Sequence, residues 1–537
     1  MSARMYARTY ARTYAKTMAT ALLPLVGAAC ASSTGGATTP TPVVAPARAA
    51  FVAAVDSMLA DPRWRPARWG VLVVHPRTGD TLYARDADKL FMPASNQKLV
   101  TGAAALAILG PDFRWRTAIA VPRGAFRDGV VRGDLHVVGR GDPTVSDRMR
   151  GDAMTPLRAM ADTLRARGVR RVEGEVVAGG TAFPGDYWGF GWGWDDFDEP
   201  YSAGVSELLF NEGLARVVVR GGDRPGDAPR VVVRPAARIV PLDVAVTTAT
   251  PGVVGMGTTA TRVTARWSPE TLRYRVEGVV SAGDSAVLTL AIREPRLAYA
   301  AAFAEALRER GIAVDTSRVA VTRGRLCLGL GCDAPTPLDT IAVMWSPPLR
   351  EVLPALEKPS QNQIAEALFR SIGYERTLVG TPDSARRVVY EQLRQWGIAP
   401  EHEAVVRDGS GLSRHDYLTP RTLVRILDAM RQRPDSMVFI DALPVAGVDG
   451  TLANRMKGTP AERNVRAKTG TVDKARSLSG YVTSADGELL LFSFLCNNHT
   501  VPTRDVDAVQ DAIAARLAAM RVRALGAAPV RRTASAP

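Results

Sequence analysis

Phe91-Met-Pro-Ala-Ser-Asn-Gln-Lys-Leu-Val-Thr-Gly-Ala-Ala-Ala-Leu-Ala-Ile-Leu-Gly110-Pro111 reads as a helix with both ends marked. Pro93 stands where a helix begins, Ala and Leu fill its interior, and Gly110 followed by Pro111 stops it. Ser95 and Lys98 are three residues apart inside it, which places both on one face within hydrogen-bond reach. That pairing suits a nucleophile and its base. A serine hydroxyl is too weak an acid to attack an acyl group unaided, and a lysine whose ammonium is disfavoured by burial and nearby cations can take its proton. Only seven of the 68 basic residues are lysines, so the chain prefers Arg almost ninefold. A guanidinium stays protonated and cannot act as the base, which gives Lys98 a chemical rationale. Ser-x-x-Lys occurs once in the 537 residues, but alone it is a two-residue pattern that chance supplies often.

Working outward, the pattern predicts a helix over 49–59, then strands at 69–74 and 81–84 around the turn His75-Pro-Arg-Thr-Gly-Asp. From 116 to 337 the chain changes to short β-rich segments at 130–138, 172–177, 215–219, 230–233 and 286–292. Helical periodicity returns at 363–372 and 382–396, strands follow at 465–469, 478–483 and 489–495, and a helix from 506 to about 525 closes the pattern. The expectation is a multi-domain α/β chain: an antiparallel sheet flanked by helices, built from 48–115 and 338–525. It is interrupted by a β-rich insertion at 116–337 with an inner domain at about 139–210, and residues 526–537 are expected to be a disordered tail.

Two further fragments bear on the chemistry. Ser360-Gln361-Asn362 opens the helix at 363, and Lys468-Thr469-Gly470 follows Asn464-Val-Arg-Ala at a strand end. Read structurally, Ser360 could cap its helix, Lys468 could be a solvated strand-edge charge, and Gly470 could mark a bulge. Ser-x-x-Lys, Ser-x-Asn and Lys-Thr-Gly in this order resemble the signature of the penicillin-recognising serine acyl enzymes. Gly139-Arg-Gly-Asp-Pro-Thr, Ser206-Glu-Leu-Leu-Phe-Asn-Glu, Arg407-Asp-Gly-Ser-Gly-Leu-Ser-Arg414, Leu443-Pro-Val-Ala-Gly-Val-Asp-Gly-Thr-Leu and Ala467-Lys-Thr-Gly-Thr-Val narrow the match. From about 50 to 525 the chain resembles the D-alanyl-D-alanine carboxypeptidase/endopeptidase family S13, the class C low-molecular-mass penicillin-binding proteins. The long insertion separates that family from the compact serine β-lactamases. Gln361 stands where the family usually has Asp or Asn.

The resemblance implies a transpeptidase-like domain with two nested β-rich domains, no cofactor and no metal. It implies that Ser95 attacks the penultimate D-alanine carbonyl of a peptidoglycan stem peptide, with Lys98 as base and β-lactam antibiotics as covalent inhibitors. Ser360 and Lys468 would relay a proton to the leaving nitrogen, and Asn362 would orient Lys98 and bind a substrate amide. The N–H groups of Ser95 and Thr471 would form an oxyanion hole. Lys468 and Thr469 would hold the terminal carboxylate, and Gly470 would let an extended peptide lie against the strand. A pocket for a diaminopimelate-type side chain falls on Trp194, Asp196, Tyr201, Leu412 and Arg414, where a packed aromatic corner with solvated acids is the alternative. Asp142 and Asn211 are expected to brace turns. The rival functions are a β-lactamase or esterase on the same core and a non-catalytic envelope-binding protein.

The remaining features bear on compartment. Residues 1–17 carry four basic residues and no acid, and an apolar stretch to Ala29 follows, which reads as an export signal ending near 31. Ala29-Cys30-Ala31 suits ordinary cleavage, whereas Gly27-Ala28-Ala29-Cys30 resembles a lipobox that would make Cys30 a lipidation site. Residues 32–47 form a Ser/Thr/Pro/Gly tether. Cys327 and Cys332 flank Leu-Gly-Leu-Gly and could form a small disulfide in an oxidising compartment, while Cys496 reads as a buried, inert thiol. The net charge of +14 falls to about +10 once the signal is removed. For an exported chain, periplasmic or elsewhere in the envelope, that excess fits an anionic envelope or an Arg-rich bias, not nucleic acid.

Overall fold

The computed structural model describes residues 45–235, 239–250, 261–322 and 337–522. The expected signal peptide, Cys30, the Cys327/Cys332 pair, the tail and the tether as far as 44 lie outside these residues, and the helix Ala45–Leu59 begins before 47, where the tether was expected to end. Both ends of the described chain build one five-stranded antiparallel sheet, in the order Arg466–Val472, Ala475–Thr483, Leu489–Asn497, Arg68–Val74, Thr81–Arg85. Its central strands are near-continuous apolar runs because both faces are covered, and side chains alternate between two cores. Val71, Val73, Phe492 and Phe494 pack with Phe51, Val55, Val509 and Ile513 from the helices Ala45–Leu59 and Thr503–Ala519. Leu72, Leu491 and Leu495 join Leu99, Leu353, Leu368 and Leu427 in the opposite core.

The helix that carries Lys98, Gln97–Leu109, lies in that second core and is buried from Gln97 to Leu106. An apolar helix on all sides belongs in an interior. Ser95 is not inside it, as the sequence suggested, but in the 3-10 turn Ala94–Asn96 that leads into it. This turn is fixed to the sheet by three hydrogen bonds. Met92 N–H donates to Asn497 Oδ1 at 2.8 Å, Asn497 Nδ2 donates to Met92 O at 3.2 Å, and Ser477 Oγ donates to Pro93 O at 2.7 Å.

The segment between the two halves of this domain contains its own five-stranded sheet, ordered Val319–Val321, Val176–Gly179, Leu135–Val138, Arg116–Pro122, Leu338–Trp345. Leu338–Trp345 pairs with Arg116–Pro122, so the return to the catalytic half falls after Trp345, not at 338. The nested part also falls elsewhere than 139–210. The described strands between 214 and 291 form two three-stranded sheets of their own, Arg230–Arg234 with Leu214–Arg220 and Ser285–Ala291, and Leu242–Ala249 with Arg273–Ser281 and Arg262–Ser268. Two helices in this region, Met154–Ala166 and Pro295–Glu309, were not anticipated. Leu157, Met160, Ala161 and Leu164 do recur at helical spacing and are buried, but charged residues between them broke up the run. Asp142 and Asn211 brace turns as expected, accepting from the N–H groups of Thr144 and Asp147 at 2.8 and 2.9 Å.

Candidate active site

Lys98 Nζ is the centre of the site. It lies 3.0 Å from Ser95 Oγ and donates to Asn362 Oδ1 and to the carbonyl of Ser410, both at 2.7 Å. A neutral amine has two N–H bonds and one lone pair. With both N–H bonds committed to carbonyl oxygens, the lone pair is left facing the Ser95 hydroxyl. Lys98 is fully buried, and burial lowers its pKa from 10.5 to about 8. Of the two causes expected from the sequence, burial and nearby cations, desolvation dominates, and the charges of Asp408, Glu357, Glu366 and Asp416 oppose it.

Lys468 is also fully buried, not a solvated strand-edge charge. Desolvation, then the charge of Lys98, lower its pKa from 10.5 to about 7, against the pull of Glu357. Glu357 is in turn raised to about 7 by burial, with Lys468 and Lys98 countering. Both its carboxylate oxygens are buried and accept no hydrogen bond among the described residues. Glu366, raised to about 7 by burial and then by Asp408, accepts from the N–H groups of Gly409 and Ser410 at 3.0 and 2.8 Å. Asp408 accepts from the N–H groups of Gly411 and Ser413, each at 2.7 Å, and from Trp192 Nε1 at 2.9 Å. These acids shape the Asp-Gly-Ser-Gly loop so that the Ser410 carbonyl meets Lys98. Gly411 has φ +80° and lies against the backbone of Ala94, where a Cβ would come within 1.9 Å of the carbonyl oxygen.

Ser360 sits in a left-handed conformation, φ 63°, just before the helix Asn362–Thr377. The cap of that helix is Gln361, whose Oε1 accepts from Ile364 N–H at 3.1 Å while its Nε2 donates to Glu212 Oε2 at 2.9 Å. Capping therefore does not account for Ser360. A non-glycine residue in this region costs roughly 1–3 kcal/mol and is retained where surrounding structure enforces it. Asn362 Nδ2 donates to the Tyr201 carbonyl at 2.8 Å, which ties the motif to the insertion.

Gly470 meets a packing requirement in addition to the room for a peptide expected from the sequence. A Cβ there would stand 2.7 Å from Pro93 O and 2.8 Å from Ser95 N, so glycine lets the strand approach the nucleophile turn. Thr469 Oγ1 donates to Thr451 Oγ1 at 2.7 Å, and Thr451 is positioned by the Leu443-to-Leu452 motif, where Asp449 pairs with Lys358 at 2.6 Å.

Ser95, Ser360, Asn362, Thr469, Gly470 and Thr471 line one cleft of about 1240 Å³, together with Asp196, Tyr201, Leu412 and Arg414. Tyr201 Oη donates to Asp196 Oδ1 at 2.6 Å, and Arg414 lies 3.5 Å from Asp473. Trp194 does not line the cleft: it is 84% exposed, and the anchoring tryptophan of this run is the buried Trp192. Cys496 is buried and free, with its thiol pushed up to about 12 by desolvation.

The model of the D-Ala-D-Ala carboxypeptidase 3 (S13) family matches residues 51–520. A D-alanyl-D-alanine carboxypeptidase of Actinomadura sp. (strain R39) is 37% identical over 479 residues, covering 86% of this chain and 84% of the relative. D-alanyl-D-alanine carboxypeptidase DacB of Haemophilus influenzae is 26% identical over 424 residues, 76% of this chain and 81% of its own. The crystal structure of penicillin-binding protein 4 (dacB) from Haemophilus influenzae superposes with a TM-score of 0.68 at 24% identity, covering 85% of this chain and 97% of that one. This similarity identifies the fold.

Proposed function

The chain belongs to the D-Ala-D-Ala carboxypeptidase 3 (S13) family, and from that membership we propose that it removes the terminal D-alanine of peptidoglycan stem peptides through an acyl-enzyme on Ser95. The observation that carries the reading is the buried Lys98 amine, whose two N–H bonds are taken by Asn362 and Ser410 and whose remaining face meets Ser95 Oγ at 3.0 Å.

With its pKa near 8, about one Lys98 in ten is neutral at pH 7. Neutral Lys98 takes the Ser95 proton as Oγ attacks the carbonyl of the penultimate D-alanine. The N–H groups of Ser95 and Thr471 hold the developing oxyanion, a contribution on the order of 3 kcal/mol per donor. Protonated Lys468 and Thr469 hold the substrate carboxylate, and Ser360 gives its proton to the departing amine of D-alanine while the proton on Lys98 replaces it, which leaves Lys98 neutral for the next step. Water then cleaves the ester, with Lys98 again as base. The same steps open a crosslink when the bond cut joins D-alanine to the side-chain amine of a neighbouring stem. Asp196, Tyr201, Leu412 and Arg414 stand where the stem side chain would enter.

The Haemophilus influenzae protein has been crystallised with a β-lactam, and here a β-lactam acylates Ser95 as a substrate mimic. The reading places the chain in the cell envelope, exported by its basic and apolar N-terminus. Purified protein is expected to release D-alanine from a soluble peptide ending in D-Ala-D-Ala and to lose this activity in Ser95→Ala. Equal release by the two proteins would refute the assignment.

A further inference from the structure

The nested sheet of Arg230–Arg234, Leu214–Arg220 and Ser285–Ala291 has one buried face and one open face. Ala215, Val217 and Val219 turn inward and are fully buried. The period of two places Arg216, Val218 and Arg220 outward on the central strand, beside Arg230, Val232 and Arg234 on one neighbour and Ser285, Val287 and Thr289 on the other. This face carries four arginines and no acid.

Its register is unusual for a solvated surface. Arg216 lies directly opposite Arg234, and Arg220 directly opposite Arg230. Opposed like charges destabilise a strand pair, and sheet surfaces ordinarily answer them with acids across the strand. None of the four arginines has an ion-pair or hydrogen-bond partner among the described residues. The two pairs stand at opposite ends of a shallow groove of about 550 Å³, with Val218, Val232 and the 58% exposed Val287 between them. Four residues of strand separate the pairs by about 13 Å.

We propose that this face is a second binding surface for the wall polymer, taking the carboxylates of peptidoglycan stem peptides away from the catalytic cleft. Guanidinium groups match carboxylates in planar, two-pronged contacts. Extended peptide spans the same roughly 13 Å in four residues, so a stem peptide laid along the groove presents its carboxylates to the arginine side chains at both ends. The alanine methyls between them meet the valines. A phosphate chain would use the arginines but leave the exposed valines without a counterpart. The groove shares no lining residue with the cleft, so it holds the enzyme on an insoluble mesh without entering the reaction. The assignment rests on the peptidoglycan reading of the active site.

The test is sedimentation of the full-length protein with purified sacculi stripped of covalently attached phosphate polymers. It compares wild type with the quadruple variant Arg216→Gln, Arg220→Gln, Arg230→Gln, Arg234→Gln. Affinity is expected to fall roughly tenfold, the sum of four modest exposed ionic contacts, while turnover of a soluble D-Ala-D-Ala peptide stays unchanged. Amidating the sacculus carboxylates should weaken wild type to the same degree, an arm that needs no variant to fold. Equal binding of wild type and variant overturns the proposal. So does wild-type binding that disappears when phosphate polymers are stripped, or that occurs on anionic phospholipid vesicles and not on stripped sacculi. Arginine-dependent binding without D-alanine release would support this surface and refute the reaction assigned to the cleft.

Discussion

Gly470→Ala tests how the Lys-Thr-Gly strand and the nucleophile turn are held together. The added Cβ would lie 2.2 Å from Ser477 Oγ, 2.7 Å from Pro93 O and 2.8 Å from Ser95 N, where ordinary contact begins at 3.4 Å. Ser477 could rotate, but only by giving up its hydrogen bond to Pro93 O. The other two atoms are backbone, so the turn must retreat from the strand by about 0.6 to 0.7 Å. Overpacking of this kind costs roughly 1–3 kcal/mol of stability. Because Ser95 N is also an assigned oxyanion donor, the displacement falls on the reacting geometry. A 1 Å misplacement can cost on the order of a hundredfold in rate, so acylation by a fluorescent penicillin should slow by about ten- to a hundredfold. Rates are read from stopped-time labelling at several antibiotic concentrations, with thermal unfolding confirming that the variant is folded. A folded Gly470→Ala protein that is acylated at the wild-type rate would refute this reading of the strand.

Three further outcomes follow from the buried charges. Lys98 must be neutral to act and its pKa is lowered to about 8, so acylation should rise with pH and level off above about 8. Lys98→Arg should lose that limb and about two to four orders of magnitude in rate, whereas a retained limb would assign the base elsewhere. The charge of Glu357 raises Lys98 and opposes the lowering of Lys468. Glu357→Gln should therefore move the acid limb of acylation to lower pH, and an unmoved limb would remove Glu357 from the account. Glu207 is fully buried and paired with Arg296 at 2.9 Å, with burial raising its pKa and Arg296 countering. Arg296→Met should destabilise the protein by about 3 kcal/mol. Its unfolding temperature should fall more at pH 8 than at pH 5, because protonating Glu207 relieves the stranded charge; an equal fall at both would contradict this.

Ser95 and Lys98 were legible because their relation is local and set by short spacing, and Ser360, Asn362 and Lys468 because their motifs are short. The outer limits of the catalytic sheet could be read from apolar runs such as Leu489–Asn497, which a two-sided core requires. The acids around Lys98 were not legible. Glu357, Glu366, Asp408 and Asp416 belong to segments that only packing brings together, and a sequence does not mark an acid as buried. Glu366 did leave a trace, one helical turn beyond Asn362 on the same face. The packing requirement at Gly470 was illegible for a similar reason, since its neighbour Ser95 is 375 positions away. The pocket residues expected at Trp194, Asp196 and Tyr201 pointed to the right loop but the wrong tryptophan: Trp192 anchors Asp408, while Trp194 stands in solvent.

The central claim is that Ser95 forms an acyl-enzyme with Lys98 as its base. Intact-mass analysis after a short exposure to benzylpenicillin, followed by peptide mapping, tests it most directly. The account predicts one added penicilloyl group per chain, carried by the peptide containing Ser95 and absent from Ser95→Ala. An adduct on another residue, or an unmodified wild-type chain whose fold is intact, would contradict it.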